Sequence, residues 1–251
     1  MNIELKMTAI DLKIMDPDFK VGVLVPPSNP TVEPEMRYLL CGNVGMFVSR
    51  FGTMPDTTLD QRNQMYLQKY TSQIHDFGSI KLDVLSIGLT GPSYRNGPAE
   101  DEKLCSGLSD DMSTPVVTAS LAISHALGRL KARTIILISP YPDWLTEMSV
   151  AYWEAAGFEV VMVKKMSEEF RAYELTTQEV ATALAEISNT KADAIVLSGT
   201  GMLTIPAIQE ASKLSTMPFL SSNICSAWWM MRTLGVKTPE NFNATAPQLA
   251  L

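Results

Sequence analysis

Short apolar runs recur along the chain, and each ends in a segment rich in proline, glycine or small polar residues. Apolar runs of about four to eight residues between such segments are typical of strands buried in a parallel sheet. The predicted strands are 20–25, 44–50, 81–88, 114–117, 134–139, 158–163, 194–198 and 218–221. The segments between the strands repeat apolar residues at helical spacing. The predicted helices are 58–77, a segment from about 99, 120–130, 144–156, 177–188 and 224–233, with further helix starts near 31 and 206.

The order of these elements repeats: strand, proline-rich loop, helix, strand, helix, strand, glycine-rich turn and helix occur in both halves. Such alternation predicts right-handed crossovers and parallel sheets. The expected fold is α/β, with two pseudo-symmetric Rossmann-like domains and an active-site cleft between them. The predicted first domain is 1–120 with 219–251, whose C-terminal helix returns to it, and the second is 121–218. Residues 1–18 are polar and irregular, which predicts a poorly ordered arm or a strap on a partner subunit.

Composition narrows the class of protein. Hydrophobic residues make up 46% of the 251 residues and charged residues 19%, as in globular proteins. The net charge of −7 and the absence of a long basic run argue against a nucleic-acid partner. No apolar stretch approaches the roughly 18 residues of a membrane span, and none resembles a signal peptide. Three cysteines without metal-ligand spacing are typical of a reducing compartment, so we expect a cytoplasmic protein, with homo-oligomerisation left open.

Glycine-rich turns follow two of the predicted strands at corresponding places in the repeat. The first is 88–97 (GLTGPSYRNG), and the second is Gly199-Thr200-Gly201. At the carboxyl end of parallel strands, exposed backbone N–H groups attract anions, and glycine lets a ligand approach the backbone. We therefore expect the two turns to face each other across the cleft and to bind a small anion. The alternative is that both are tight turns without a ligand.

Proline-rich loops follow the first strand of each repeat. The loop PPSNP carries Ser28 and Asn29, whose side chains can cap the next helix or donate to a ligand. The other loop places Tyr141 between Pro140 and Pro142, which restrict its backbone and aim the phenol across the cleft.

The chain resembles the aspartate/glutamate racemase superfamily in five separate segments that occur in the same order. They are VGVLVPPSNPTVEPEM, LSIGLTGPSYR, ILISPYPDW, IVLSGTGMLTIPAI and SSNICSAWW. Within that superfamily it is most similar to maleate cis–trans isomerases and arylmalonate decarboxylases. The resemblance extends from residue 20 to about residue 234. It implies two similar α/β domains with the active site in the cleft between them.

The resemblance also implies a thiol chemistry that this sequence lacks. Family members normally place a cysteine at the end of one strand in each domain, next to the substrate carbon that bears a carboxylate. Here the two positions fall on Gly88 and Gly199. The cysteines that are present, Cys41, Cys105 and Cys225, lie in or after predicted helices, where a buried structural role is the commoner one.

The carboxylate-binding groups of the family have counterparts in this chain. Family members hold carboxylates with backbone N–H groups and hydroxyls at both turns, with a tyrosine, and with an asparagine of the first loop. By motif match these roles fall on Asn29, Thr90, Gly91, Tyr141, Thr200 and Gly201.

Other side chains have a structural alternative to a functional role. Glu33 and Asp143 could face the cleft or could only favour a helix N-terminus. Arg95 and Arg171 could bind a second carboxylate, although ion-paired or solvated arginines are commoner. Both histidines lie in predicted helices away from the strand ends. No metal-ligand spacing, G-x-G-x-x-G or P-loop lysine occurs, so we expect neither a metal nor a cofactor.

These observations predict an isomerase or lyase that acts on a small carboxylate or dicarboxylate through an enolate-like intermediate, without catalytic cysteines. Tyr141, Thr90 and Thr200 would hold the carboxylate or the developing oxyanion. The proton carrier is open between Tyr141, Glu33 and a bound water. Two alternatives remain, which are a hydrolase or hydratase that activates water, and a carboxylate-binding protein without catalysis.

Overall fold

The computed structural model describes residues 15–187 and 190–251. These residues contain two four-stranded sheets in which all neighbouring strands run parallel. The strands of the first sheet are β1 (Phe19–Val25), β2 (Val44–Arg50), β3 (Val84–Ile87) and β4 (Val116–Thr118). Those of the second sheet are β5 (Thr134–Ser139), β6 (Glu159–Lys165), β7 (Ala194–Leu197) and β8 (Phe219–Ser221).

The two sheets have the same strand order, which is β2-β1-β3-β4 in the first and β6-β5-β7-β8 in the second. β1 is therefore equivalent to β5, and β3 to β7. These inner strands are buried along nearly their whole length, as the short apolar runs predict. The predicted α/β fold of two similar halves is confirmed.

Helices connect the strands within each half. In the described ranges they are α1 (Val32–Leu39), α2 (Leu59–Ile74), α3 (Gly91–Asn96), α4 (Pro98–Met112), α5 (Ala119–Leu130), α6 (Asp143–Ala155), α7 (Thr177–Glu186), α8 (Ile205–Ala211), α9 (Ser222–Leu234) and α10 (Glu240–Thr245). Two 3-10 turns cover His75–Phe77 and Pro247–Leu249. None of these described helices is both long enough and apolar enough to cross a bilayer.

Side-chain caps fix where several helices begin. Thr58 and Gln61 form a capping box at the start of α2, and Thr176 and Glu179 form another at the start of α7. The Ser221 hydroxyl accepts a backbone N–H from the first turn of α9. This cap starts α9 two residues before the predicted position.

Other bounds differ by a few residues from the predicted ones, and the contacts explain two of these differences. The glycine-rich segment predicted as a turn up to residue 97 contains α3, because Pro92 fits the first turn of a helix. β3 begins at Val84, three residues after the predicted start at residue 81. The side chain of Asp83, just before the strand, accepts a hydrogen bond from the backbone N–H of Lys20. The predicted arm falls mainly on residues 1–14, which lie outside the described residues, as does Ser188 at the predicted end of α7.

The last strand lies in the second sheet. Leu220 of β8 pairs with Val196 of β7, so the predicted domain boundary before residue 219 would separate β8 from its sheet neighbours. After β8 the chain turns back, because α9 packs against α5, α1 and β3. The division into domains itself stays a prediction.

One apolar core joins the two halves. Buried side chains from both sheets and from the helices between them form a single cluster, which includes Tyr94, Trp153 and Trp228. The methionine- and tryptophan-rich segment of α9 contributes to it, with Met230 and Met231 fully buried. Packing of this extent fixes the two sheets relative to each other and therefore shapes the space between them.

Candidate active site

A cavity of about 420 Å³ lies between the carboxyl ends of the two sheets. Its walls come from the segments that follow β1, β2 and β3 in the first half and β5, β6 and β7 in the second. This is the end of an α/β sheet at which ligands bind. Six of the predicted site residues line the cavity, and they are Ser28, Thr90, Gly91, Tyr141, Thr200 and Gly201.

The other three predicted site residues lie directly behind the lining. Asn29 follows Ser28, while Gly88 and Gly199 precede the two turns that reach the cavity. Their positions are therefore close to the cavity, although they do not form its wall.

Two hydroxyls from opposite halves meet at the cavity. The Tyr141 hydroxyl lies 2.6 Å from the Thr90 hydroxyl, and either group can be the donor. The Tyr141 ring stacks on Phe170, with 5.8 Å between the ring centroids. Burial raises the pKa of the Tyr141 phenol well above its ordinary value, and the nearby Tyr94 adds to this. Tyr141 is therefore protonated at neutral pH and suited to donating a hydrogen bond, but not to acting as a base.

The Thr200 hydroxyl is committed to partners within the protein. It donates to the backbone oxygen of Gly88 at 2.9 Å and accepts from Asn29 Nδ2 at 3.0 Å. A hydroxyl has one hydrogen, so this side chain has none left to donate to a ligand. The Thr200 residue can offer a ligand its backbone N–H instead.

Asn29 combines a cap with a contact between the two halves. Its Oδ1 accepts the backbone N–H groups of Thr31 and Val32 at 2.9 and 3.0 Å, which satisfies the first turn of α1. Its Nδ2 is thereby aimed at Thr200 in the second half. The two roles considered for this side chain, capping and positioning at the site, therefore coexist.

Backbone geometry at the second turn requires glycine. Gly199 has φ of +83°, a left-handed conformation that side chains with a Cβ rarely adopt. At Gly201 a Cβ would come 2.5 Å from the ring of Tyr173, which covers this residue. At the first turn a Cβ on Gly91 would come 2.9 Å from the Asn63 side-chain amide.

Sequence reasoning missed the buried acid Glu35 behind the second turn. Its carboxylate accepts the N–H groups of Thr204 at 2.6 Å and Ile205 at 3.0 Å, and Nδ2 of Asn223 at 2.7 Å. Asn223 also donates to the backbone oxygen of Thr200 at 3.2 Å. Burial raises the pKa of Glu35, although these hydrogen bonds lower it.

A signal for Glu35 was present in the sequence. It stands three residues after Val32 and four before Leu39, both buried, and therefore on the inner face of α1. Glu33, one of the predicted candidates for the proton carrier, lies on the outer face of α1. It pairs with Arg50, and neither residue lines the cavity.

Backbone N–H groups at both turns remain available. Among the described residues, the N–H groups of Thr90, Gly91, Thr200 and Gly201 have no hydrogen-bond partner. These N–H groups, like the hydroxyl pair above, belong to residues that line the cavity. Such an arrangement favours a bound anion, although the protein as a whole is negatively charged.

Of the remaining charged candidates, one lies at the cavity wall and two do not. Asp143 pairs with Lys165, and Arg95 pairs with Asp60. Neither of these candidates lines the cavity, whereas Arg171 does and also pairs with acidic neighbours.

The cysteines and histidines lie elsewhere. Cys41, Cys105 and Cys225 are all outside the cavity wall, and burial raises the pKa of each thiol. His75 pairs with an aspartate of α4, and His125 stacks on a tryptophan of α9. The described residues contain no group of three or more His, Cys, Asp or Glu side chains that could hold a metal ion.

Two parallel sheets with a cavity between their carboxyl ends define an α/β protein of two similar halves, with the cavity at the place where such folds bind ligands. The chain belongs to the arylmalonate decarboxylase family, which it matches over residues 21–245. The resemblance to the maleate isomerase and arylmalonate decarboxylase branch is thereby confirmed. The protein is an enzyme of the isomerase/lyase type.

Individual relatives agree with this assignment. The chain is 24% identical to the maleate isomerase of Geobacillus stearothermophilus over 241 residues, which cover 88% of this chain and 93% of the relative. It is 27% identical to that of Nocardia farcinica over 235 residues, with 86% and 90% covered.

Solved structures share the fold. A Nocardia farcinica maleate cis-trans isomerase variant with a covalently bound succinylcysteine intermediate has a TM-score of 0.80 at 20% identity, and the match covers 92% of this chain and 98% of that one. A crystal structure of arylmalonate decarboxylase has a TM-score of 0.75 at 20% identity, with the same two fractions covered.

Proposed function

We propose that this enzyme is a cofactor-independent isomerase or decarboxylase that acts on a small carboxylate or dicarboxylate through an enolate-like intermediate, without a catalytic cysteine. The relatives named for maleate and for arylmalonate support a substrate of this kind. Small carboxylates also match the donor-lined cavity between the two sheets.

The Thr90–Tyr141 pair is the observation that carries the proposal. Two hydroxyls 2.6 Å apart share one hydrogen bond, so one of their two hydrogens remains free to donate. The unpartnered N–H groups of Thr90, Gly91, Thr200 and Gly201 add further donors to the same cavity. In our proposal these groups bind the carboxylate that stays on the substrate, with Thr200 acting through its backbone.

The donors stabilise the charge that develops in the reaction. When CO₂ leaves the reacting carbon, or when a bound water takes a proton from it, the electron pair of the broken bond stays on that carbon and spreads into the neighbouring carboxylate. The resulting enolate carries more negative charge on oxygen than the substrate did. Preorganised donors at those oxygens stabilise such charge by several kcal/mol.

A proton must then return to the carbon. Tyr141 keeps its proton because burial raises its pKa, and Glu33 lies outside the cavity wall. We therefore propose a bound water as the proton source. A covalent thiol adduct has no counterpart in this scheme, because cysteine is absent from the described cavity wall.

Turnover in D₂O tests the proposal. Phenylmalonate and maleate are incubated with the purified protein and followed by proton NMR. We expect CO₂ loss from phenylmalonate, with solvent deuterium at the carbon that loses CO₂. Isomerisation of maleate requires a nucleophile to add to its double bond before that bond can rotate, so conversion of maleate to fumarate would contradict a scheme without a thiol. Binding without turnover would favour the carboxylate-binding alternative, and addition of water to the double bond would favour a hydratase.

Tyr141→Phe and Thr90→Val test the hydroxyl pair. Loss of a hydrogen bond to a charged group should lower kcat/KM roughly ten- to a hundredfold. Tyr70→Phe is the matched control, because the Tyr70 hydroxyl is also buried but has no partner and lies outside the cavity wall. Wild-type activity of Tyr141→Phe would contradict the proposed role of this pair.

A further inference from the structure

We infer that Arg62 and Asn63 form a second anion subsite in this cavity, which binds an acidic group on the side arm of the substrate. The inference rests on the proposed function, in which the reacting carboxylate occupies the two turns. Arg62 and Asn63 belong to α2, which follows the edge strand β2, whereas the turns follow β3 and β7. The subsite is therefore a separate part of the same cavity wall.

Arg62 brings an unpaired positive charge to the cavity. Two arginines line it, and Arg171 pairs with Glu174 at 3.4 Å and Glu179 at 3.7 Å. Within the described part of the chain, Arg62 has no acidic side chain within 4.0 Å. Its guanidinium is positioned by one hydrogen bond, from Nη1 to the backbone oxygen of Thr57 at 3.2 Å. Its other N–H groups remain free to bind a carboxylate.

Asn63 provides an independent observation. The residue is 3% exposed, lines the cavity, and its Nδ2 has no hydrogen-bond partner. A buried amide without a partner is unfavourable, and native proteins rarely leave one unpaired. The amide packs against Gly91 of the first turn, and Asn63 follows Arg62 directly in α2. A ligand that reaches from the turn to Arg62 would satisfy it.

The cavity wall also suits an apolar arm. Tyr66 and Tyr173 line the cavity close enough to Arg62 for its charge to act on their phenols, and Met54, Leu59 and Leu89 add apolar side chains to the same wall. The cavity holds roughly 14 water molecules at about 30 Å³ each, which is more room than a four-carbon dicarboxylate needs. The inferred substrate class is therefore a carboxylate with an apolar arm that ends in a second, distal acidic group.

Matched ligands test the subsite by calorimetry. A series of linear monocarboxylates is titrated into the wild-type protein, and each is compared with the α,ω-dicarboxylate of the same chain length. An ω-hydroxy acid of that length, in which a neutral hydroxyl replaces the distal carboxylate, is the third ligand of each set. We expect one chain length at which the dicarboxylate binds at least about tenfold more tightly than the matched monocarboxylate, as for a charge-assisted contact. The ω-hydroxy acid should lack this preference.

Three variants assign the preference to its residues. Arg62→Met keeps the length of the side chain and should remove most of the dicarboxylate preference, and Asn63→Leu should reduce it. Arg95→Met is the control, because Arg95 pairs with Asp60 outside the cavity wall, and it should keep the wild-type preference. Tyr141→Phe should weaken both ligands to a similar degree.

The outcomes separate the two proposals. Monocarboxylate binding that Tyr141→Phe weakens, without a dicarboxylate preference at any length, would overturn the second subsite alone. A preference that Arg62→Met and Asn63→Leu both leave intact would also overturn it. If no carboxylate binds to the wild-type protein, the proposed function fails first and the subsite with it.

Discussion

The turns after β3 and β7 occupy equivalent places in the two halves but differ in what holds them. At the second turn the Thr200 hydroxyl lies between Asn29 Nδ2 and the backbone oxygen of Gly88. Thr31 donates to the backbone oxygen of Gly201 at 2.8 Å. At the first turn the Thr90 hydroxyl bonds to the Tyr141 hydroxyl at the cavity.

Turns at equivalent places in the repeat therefore differ in their contacts. The side chain of Thr200 and the backbone oxygen of Gly201 bond to Asn29, Gly88 and Thr31 of the first half, so the second turn joins the two halves. In our proposal the first turn keeps a side-chain donor for a ligand.

Removing Glu35 should have the largest effect, because it supports the second turn. Glu35→Leu leaves three buried N–H donors, from Thr204, Ile205 and Asn223, without an acceptor. At about 1–3 kcal/mol for each orphaned donor, and with partial relaxation, we expect a loss of roughly 3–5 kcal/mol in the free energy of unfolding. Urea denaturation measures it.

Glu33→Leu is the control in the same helix. Glu33 forms a partly exposed ion pair with Arg50, which is worth about 0–1 kcal/mol. Equal losses for the two variants would mean that Glu35 does not support the turn as described.

The half that contains the first turn holds a buried acid with fewer partners. Asp101 of α4 accepts hydrogen bonds from Thr118 at 2.7 Å and Tyr152 at 3.1 Å, while its Oδ1 has no partner. Burial raises the pKa of Asp101 from 3.8 to about 6, against these hydrogen bonds. The folded protein therefore binds this proton more tightly than the unfolded chain.

The contribution of Asp101 to the free energy of unfolding should consequently fall as pH rises from about 4 to about 6, and then level off. One pKa unit corresponds to about 1.36 kcal/mol, so the charged carboxylate costs up to roughly 3 kcal/mol at neutral pH. The free energy of unfolding of Asp101→Asn, relative to that of the wild type, should therefore rise by up to roughly 3 kcal/mol between about pH 4 and pH 6. A constant difference in unfolding free energy between pH 4 and 7 would contradict the buried, raised pKa.

Alanine at the two leading glycines compares the backbones of the turns. Gly199→Ala places a Cβ at φ of +83°, 2.9 Å from Pro140 and 3.2 Å from the Tyr141 hydroxyl. We expect a loss of roughly 1–3 kcal/mol, measured by urea denaturation. At Gly88 the nearest atom is the Leu24 backbone oxygen at 3.2 Å, without a positive φ, so Gly88→Ala should cost less. The reverse order would mean that the second turn can relax.

Thiol alkylation should have the smallest effect. Burial raises the pKa of Cys105 to about 12 and also raises those of Cys41 and Cys225, so all three stay protonated near neutral pH. Iodoacetamide under native conditions should leave turnover intact, with half-buried Cys41 modified first in mass spectra. Rapid inactivation that a carboxylate substrate prevents would reveal a nucleophilic thiol at the site.

Much of this picture could be predicted from the sequence. The positions of Thr90, Gly91, Tyr141 and Thr200 at one cavity follow from strand ends that carry glycine or proline, because parallel strands bring their carboxyl ends to one edge. The helix after β2 was predicted, but its place in the cavity wall was not, because Arg62 sits inside this helix without a distinctive local pattern. Its lack of an acidic partner becomes visible only once the neighbouring side chains are placed.

The eight strands, most of the helices and their repetition follow from the sequence, because apolar periodicity, caps and turn residues act over a few neighbouring positions. Which polar groups stay free depends on the tertiary structure. Glu35 and Thr204 are 169 residues apart in the chain, and Asn29 and Thr200 are 171 apart. A hydrogen bond satisfies one donor and removes it from ligand binding, so the long-range partner of Thr200, and the absence of one for Asn63, set the chemistry of the cavity.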